Sequence, residues 1–127
     1  METEPSPKPV LWIASSKRDL KALPEVVQRS IGFALWRAQL GKRHAYAKVL
    51  KGFGSAGVLE VVEDYDGDTY RAVYTVRFAE AVYVVHVFQK KSRSRGKTPR
   101  VDRALIEKRL RDADEFHKQR RGRRSNA

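Results

Sequence analysis

Apolar residues at positions 10–13 form a short run behind Pro9, the pattern of an edge strand, because proline cannot donate to a ladder. Ser15 or Ser16 then caps a short helix ending near Leu20, with Asp19 three residues after Ser16 as part of a capping box. Pro24 opens a longer helix. Leu23, Val27, Ile31, Ala34, Leu35 and Ala38 share one stripe at helical spacing, and Gly41 follows as the stop. Three strand-like runs come next, over 58–65, 69–78 and 81–89. They are joined by Asp66, Gly67 and Asp68 and then by Ala79 and Glu80, links so short that the strands must form an antiparallel meander. Thr98 caps a last helix with Pro99 at its first position and Val101, Leu105, Ile106, Leu110 and Ala113 on its apolar stripe. The order β-α-α-β-β-β-α predicts an α+β domain with helices on one side of a small, twisted, mainly antiparallel four-stranded sheet, and one sheet face left open.

The segments between these elements complete the layout. Residues 1–7 are acidic and Pro-rich and read as a disordered leader. Residues 8–117 form a single domain, and 118–127 a basic disordered tail. The stretch 41–54 is a connection in which four cations alternate with His44, Tyr46 and Phe53. Residues 90–100 hold six cations and read as an exposed loop.

Charge changes this picture from a plain α+β domain to one with a polyanionic partner. The formal net charge is +12, and since five cations lie in the tail, residues 1–117 still carry +7. A basic domain, beyond a basic tail, points to nucleic acid, the ribosome or an acidic protein. Cysteine is absent, which excludes a disulfide framework, a zinc knuckle and a thiol nucleophile. No apolar run approaches the roughly 20 residues of a membrane span, and the leader is the reverse of a secretory one, so a cytoplasmic protein with no membrane contact is expected. The acidic cluster at 64–68 has its glycine misplaced for a calcium loop and reads as a hairpin turn.

Cations also occur where strands normally spend Val, Ile or Thr. Arg71, Arg77, His86, Lys90 and Lys91 sit in or at the ends of the second and third runs. Buried cations need partners, and a bound polyanion would be one. Alternation places Arg71, Val73, Thr75 and Arg77 on one face and Tyr70, Ala72, Tyr74, Val76 and Phe78 on the other, the better core face. Arg71 either meets a phosphate or pairs with Glu60 or Glu63 across the strands. Lys90 and Lys91 point to opposite faces. His86 is either a general base or a hydrogen-bonded core residue.

The ordered set Leu-Lys-Gly-Phe-Gly-Ser at 50–55, Val-Leu-Glu-Val-Val-Glu-Asp at 58–64, Tyr-Arg-Ala-Val-Tyr at 70–74, Val-Phe-Gln-Lys-Lys-Ser at 87–92 and Thr-Pro at 98–99 resembles the RelE/ParE toxin superfamily, in its phage-derived HigB-like branch. The resemblance covers roughly 8–115. It implies a RelE-like fold and the toxin of a type II toxin–antitoxin pair: a ribosome-dependent endoribonuclease that cuts mRNA through the nucleotide's own 2′-hydroxyl and needs no cofactor or metal. Its implied partners are the ribosome, mRNA and a helix-turn-helix antitoxin. Arg71 matches the family's strand arginine as transition-state stabiliser, with a donor fork suited to phosphate. Lys90 and Lys91 lie where the family has a second catalytic cation, with His86 as a further catalytic candidate. Lys48 and Lys51 resemble its cationic approach to the scissile phosphate, Arg77, Arg93 and Arg95 are further RNA contacts, and Phe88, like Phe53 and Tyr46, is placed to stack on a base. The chain lacks the Tyr or acidic–aromatic–His cluster that several members carry after the last strand, which leaves its acid and base unassigned. A ParE-like gyrase inhibitor and a non-catalytic RNA-binding phage protein are the alternatives.

Overall fold

The computed structural model describes residues 6–54, 57–90 and 98–125. Its elements run β1 (Val10–Trp12), α1 (Ser16–Lys21), α2 (Glu25–Gln39), β2 (Ala47–Val49), β3 (Val58–Tyr65), β4 (Asp68–Thr75), β5 (Val82–Lys90) and α3 (Arg100–Ser125). The predicted class holds, with five strands where four were expected. The additional one is β2, three residues inside the cationic connection, antiparallel to β3 with Lys48 opposite Glu60. The sheet order is β1-β5-β4-β3-β2. β1 pairs in parallel with β5, and the remaining pairs are antiparallel. At the tip of the β3–β4 hairpin, Asp66 and Gly67 both adopt positive φ, 52° and 84°, the two-residue turn whose twist suits the strands.

Both faces of the sheet are covered, which corrects the expected open face. On one, Leu20 of α1 and Val27, Ile31, Ala34, Leu35 and Ala38 of α2 pack on Val61, Ala72, Tyr74 and Val84. On the other, Ile106, Leu110 and Ala113 of α3 pack on Val58, Val73, Tyr83 and Val85. The face that carries Arg71 is therefore a second core, with Val73 and Thr75 fully buried. Phe78 lies beyond the end of β4 and joins this second core, opposite to its expected side. Val101, expected on the packed stripe, is exposed, and His117 takes the stripe's far end instead. The helix continues through 118–125, into the cationic run that composition assigns to a tail.

A bulge in β5 sets the geometry of the site. Tyr74 pairs with Val84 and Val73 with His86, so Val85 is an extra residue. Tyr83 and Val85 face α3, and the bulge brings His86 to the same side. The Arg109 guanidinium of α3 fastens it: Nη1 donates to the Val85 carbonyl at 3.0 Å and to His86 Nδ1 at 2.9 Å.

Candidate active site

Three charged side chains lie on a diagonal across the α3-facing side of the sheet: Glu60 on β3, Arg71 on β4 and Lys90 on β5. The register makes them near neighbours, since Glu60 pairs with Val73, Arg71 with Phe88 and Lys90 with Thr69. All three are buried, with 6%, 7% and 6% exposure. Arg71 Nη1 donates to Glu60 Oε1 at 2.8 Å, the cross-strand pair that strand alternation allows. Each member also keeps a buried polar atom with no partner among the described residues: Glu60 Oε2, Arg71 Nε and Lys90 Nζ. Burial first, and the Arg71 charge second, lower the Lys90 pKa from its ordinary 10.5, with Glu60 opposing. An acceptor and two donors, each unsatisfied in a dry setting, are costly for a fold. They suit a site that completes itself with a ligand.

Glu60 also helps line a cleft of about 500 Å³, together with Lys48, Val49, Leu50, Lys51, Thr98 and Arg103. Three cations thus surround an opening that reaches the diagonal at its Glu60 end. The rim is shaped by Gly52, at φ +96°, where a Cβ would collide with the Arg103 guanidinium. The same guanidinium lies over the Phe53 ring, 4.8 Å from its centre. Gly52→Ala is expected to destabilise the protein by about 1–2 kcal/mol through backbone strain and to push Arg103 off the rim; denaturant midpoints and cleavage rates measure the two effects separately.

The other sequence candidates distribute as follows. Lys48 and Lys51 join the cleft. Phe88 stacks on His86 at 4.7 Å. His86 is wedged between Asp102, 2.7 Å from its Nε2, and Arg109 on Nδ1. Because arginine only donates, Nδ1 accepts and Nε2 donates to Asp102, so both ring nitrogens are engaged. Arg77 is held away from the cleft, paired with Asp114 of α3 and lying 5.0 Å over the Phe78 ring. Lys91, Arg93 and Arg95 fall outside the described residues. Among the described residues no group of three side chains is placed to hold a metal ion, and no helix is long and apolar enough to cross a membrane.

Sequence reasoning passed over Arg103, Asp102, Arg109 and His117. All four had a signal: they fall on the same side of α3 as Ile106, Leu110 and Ala113, polar residues within an apolar stripe. His117 is tied on both sides, with its Nδ1 2.9 Å from the Tyr83 hydroxyl and its Nε2 3.0 Å from Glu80 Oε2. A hydrogen bond from its own backbone, then His117, holds the Glu80 carboxyl below the usual range despite some desolvation. This tie therefore stabilises α3 above the ordinary carboxylate pKa and is lost as pH falls through the depressed value.

Compared with known families, residues 18–111 match the family described as "Phage derived protein Gp49-like (DUF891)". The chain belongs to this family. The match takes in α2, β2 through β5 and the first half of α3, and with them Glu60, Arg71, Lys90 and Arg103. The Gp49-like family belongs to the RelE/HigB-like toxin superfamily, which makes a toxin–antitoxin toxin the function suggested for the chain and an antitoxin its suggested partner. No curated protein matches this Gp49-like chain.

Proposed function

We propose that this protein is the toxin of a type II toxin–antitoxin pair, in the HigB-like branch, and a ribosome-dependent endoribonuclease that cleaves mRNA and so stops translation in the cytoplasm. The observation that carries the reading is the diagonal of buried, unsatisfied atoms, Glu60 Oε2, Arg71 Nε and Lys90 Nζ, beside a cleft rimmed by Lys48, Lys51 and Arg103. Glu60 takes the proton from a ribose 2′-hydroxyl. The 2′-oxygen attacks the adjacent phosphorus, the bond to the 5′-oxygen breaks, and a 2′,3′-cyclic phosphate results. Lys90, a stronger acid than an ordinary lysine because of its lowered pKa, returns a proton to the departing 5′-oxygen. Arg71, positioned by its bond to Glu60, stabilises the charge that builds on the phosphoryl oxygens. Lys48, Lys51, Arg93 and Arg95 approach the backbone. In this reading His86 is a positioning residue that locks α3 against the bulge, with Phe88 stacked on it, Lys91 remains a candidate second catalytic cation, and Arg77, tied to Asp114, is an outer RNA contact.

The test is cell-free translation with purified protein, mapping new mRNA 3′ ends with ribosomes engaged and without. Cuts that require translating ribosomes, and that fall by about 10²–10⁴-fold in Glu60→Gln, the loss expected for a general base, support the assignment. Glu60→Gln keeps the side-chain shape and an acceptor for Arg71, so the variant should remain folded. Toxicity in cells without any cuts would replace this reading with gyrase inhibition.

A further inference from the structure

Between Glu25 and Glu60 the chain contains no acidic residue and six Lys and Arg. Lys48 and Lys51 belong to the cleft. The rest of this stretch builds a different surface, on the opposite side of the sheet. The face of α2 turned away from the core carries Val26, Arg29, Phe33, Trp36 and Arg37, and Val26, Phe33 and Trp36 are about half exposed. Beside Phe33 stand two rings of the loop that follows. His44 meets Phe33 edge-on at 5.5 Å and lies 5.4 Å from Tyr46, which is 67% exposed. The loop is pre-shaped: His44 Nδ1 accepts from the Tyr46 backbone N–H at 3.0 Å, and Arg43 Nε donates to the Ala47 carbonyl at 3.1 Å. Next to the rings, Lys8, Lys42 and Arg43 border a pocket of about 310 Å³ whose apolar lining is Ala38, Leu59 and Val76. Tyr74, the cross-strand partner of Leu59, has a buried hydroxyl with no hydrogen-bond partner among the described residues.

We propose that the outer face of α2 and the loop 42–46 form a second binding surface for unpaired RNA nucleotides, with Phe33, Trp36 and Tyr46 stacking bases and Arg37, Lys42 and Arg43 taking phosphates. Exposed rings set among cations, with Glu25 at the start of α2 paired to Arg29, are the combination that single strands use, stacking for the bases and charge for the backbone. An acidic polypeptide would satisfy the cations equally well. The alternation of ring and cation, and the ready-ordered His44–Tyr46 turn, favour bases. This surface is separate from the cleft and binds whether or not the cleft cuts.

The experiment follows Trp36 fluorescence while a short single-stranded RNA of mixed sequence is titrated into the intact protein, with Trp36→Phe identifying the source of the signal. RNA is expected to quench Trp36. Phe33→Ala and Tyr46→Ala, both at exposed positions, should each weaken binding about tenfold, the loss of one stacked base, without changing the salt slope. Arg37→Ala and Lys42→Ala should instead lower the slope of log affinity against log salt by about 0.7 for each phosphate that is no longer neutralised. An abasic chain of equal length should bind more weakly and leave Trp36 unquenched. Lys48→Ala with Lys51→Ala should keep the quench, which separates this surface from the cleft. The assignment is overturned if Phe33→Ala and Tyr46→Ala bind RNA like the parent protein, or if the abasic chain binds as tightly. It is equally overturned if those two variants keep RNA binding and lose only the complex with the antitoxin, which would make the face a protein dock.

Discussion

Arg71→Lys is expected to reduce ribosome-dependent mRNA cleavage by about 10²–10³-fold while the protein stays folded, the loss typical of removing one preorganised donor from a transition state. Lysine keeps a positive charge beside Glu60. It loses the planar fork, and with it the second donor that Arg71 Nε offers in addition to its bond to Glu60. The choice of lysine over alanine matters here. Glu60 and Arg71 are buried together, and Arg71→Ala would leave a buried carboxylate alone, a loss of about 3–5 kcal/mol that could abolish activity through unfolding. Cleavage rates from mapped 3′ ends, read beside a denaturation midpoint, separate the two causes. Arg71→Lys with parent-like cleavage would reduce Arg71 to a structural partner of Glu60.

Lys90→Met is expected to move activity and stability in opposite directions. Cleavage should fall by about 10²-fold or more if Lys90 is the proton donor. Stability should rise by ~1 kcal/mol, because a buried ammonium without a partner among the described residues is replaced by an apolar chain of similar length. The pH dependence carries a second signature. With the folded pKa of Lys90 below 10.5, the unfolded chain holds a proton that the native state has released between the lowered value and 10.5. Stability from this residue therefore increases with pH across that window. Lys90→Met should remove this alkaline increase, visible as a flatter plot of denaturant midpoint against pH. A variant that loses stability at every pH would show that the ammonium is paired after all.

The sequence was most informative where one periodicity applied without competition. The run 58–65, bounded by Gly57 and by Asp66 and Gly67, is β3 residue for residue, and the Leu23–Ala38 stripe became the packed face of α2. It was least informative where a polar residue stood in for an apolar one. Ala47, Lys48 and Val49 are too short and too cationic to announce a strand, yet Ala47 is core and Lys48 faces Glu60. Arg71 made its face of β4 look solvent-directed, although Val73 and Thr75 beside it are fully buried under α3. Alternation counted back from Lys90 puts Tyr83 on the wrong side, because one added residue at Val85 reverses the parity along β5. Within the candidate site, Arg71, Lys90, Lys48 and Lys51 were legible as cations at strand ends and turns. Arg103 was legible only as a polar residue on the α3 stripe, since its role depends on how α3 crosses the loop at Gly52.

The parallel pairing of β1 with β5 has a bearing on how the protein is made. Val10, Leu11 and Trp12 pair with Val82, Tyr83 and Val84, so the first strand waits until β5 has been made. Pairings between such distant residues form late, after the loop between them has closed. The cleft is later still, since Thr98 and Arg103 come after β5. A chain emerging from its N-terminus at about 5–20 residues per second therefore passes through seconds in which neither the sheet edge nor the cleft exists. For a molecule whose proposed target is the translating ribosome, topology delays the cleft: it cannot assemble until the ribosome producing it has passed Arg103.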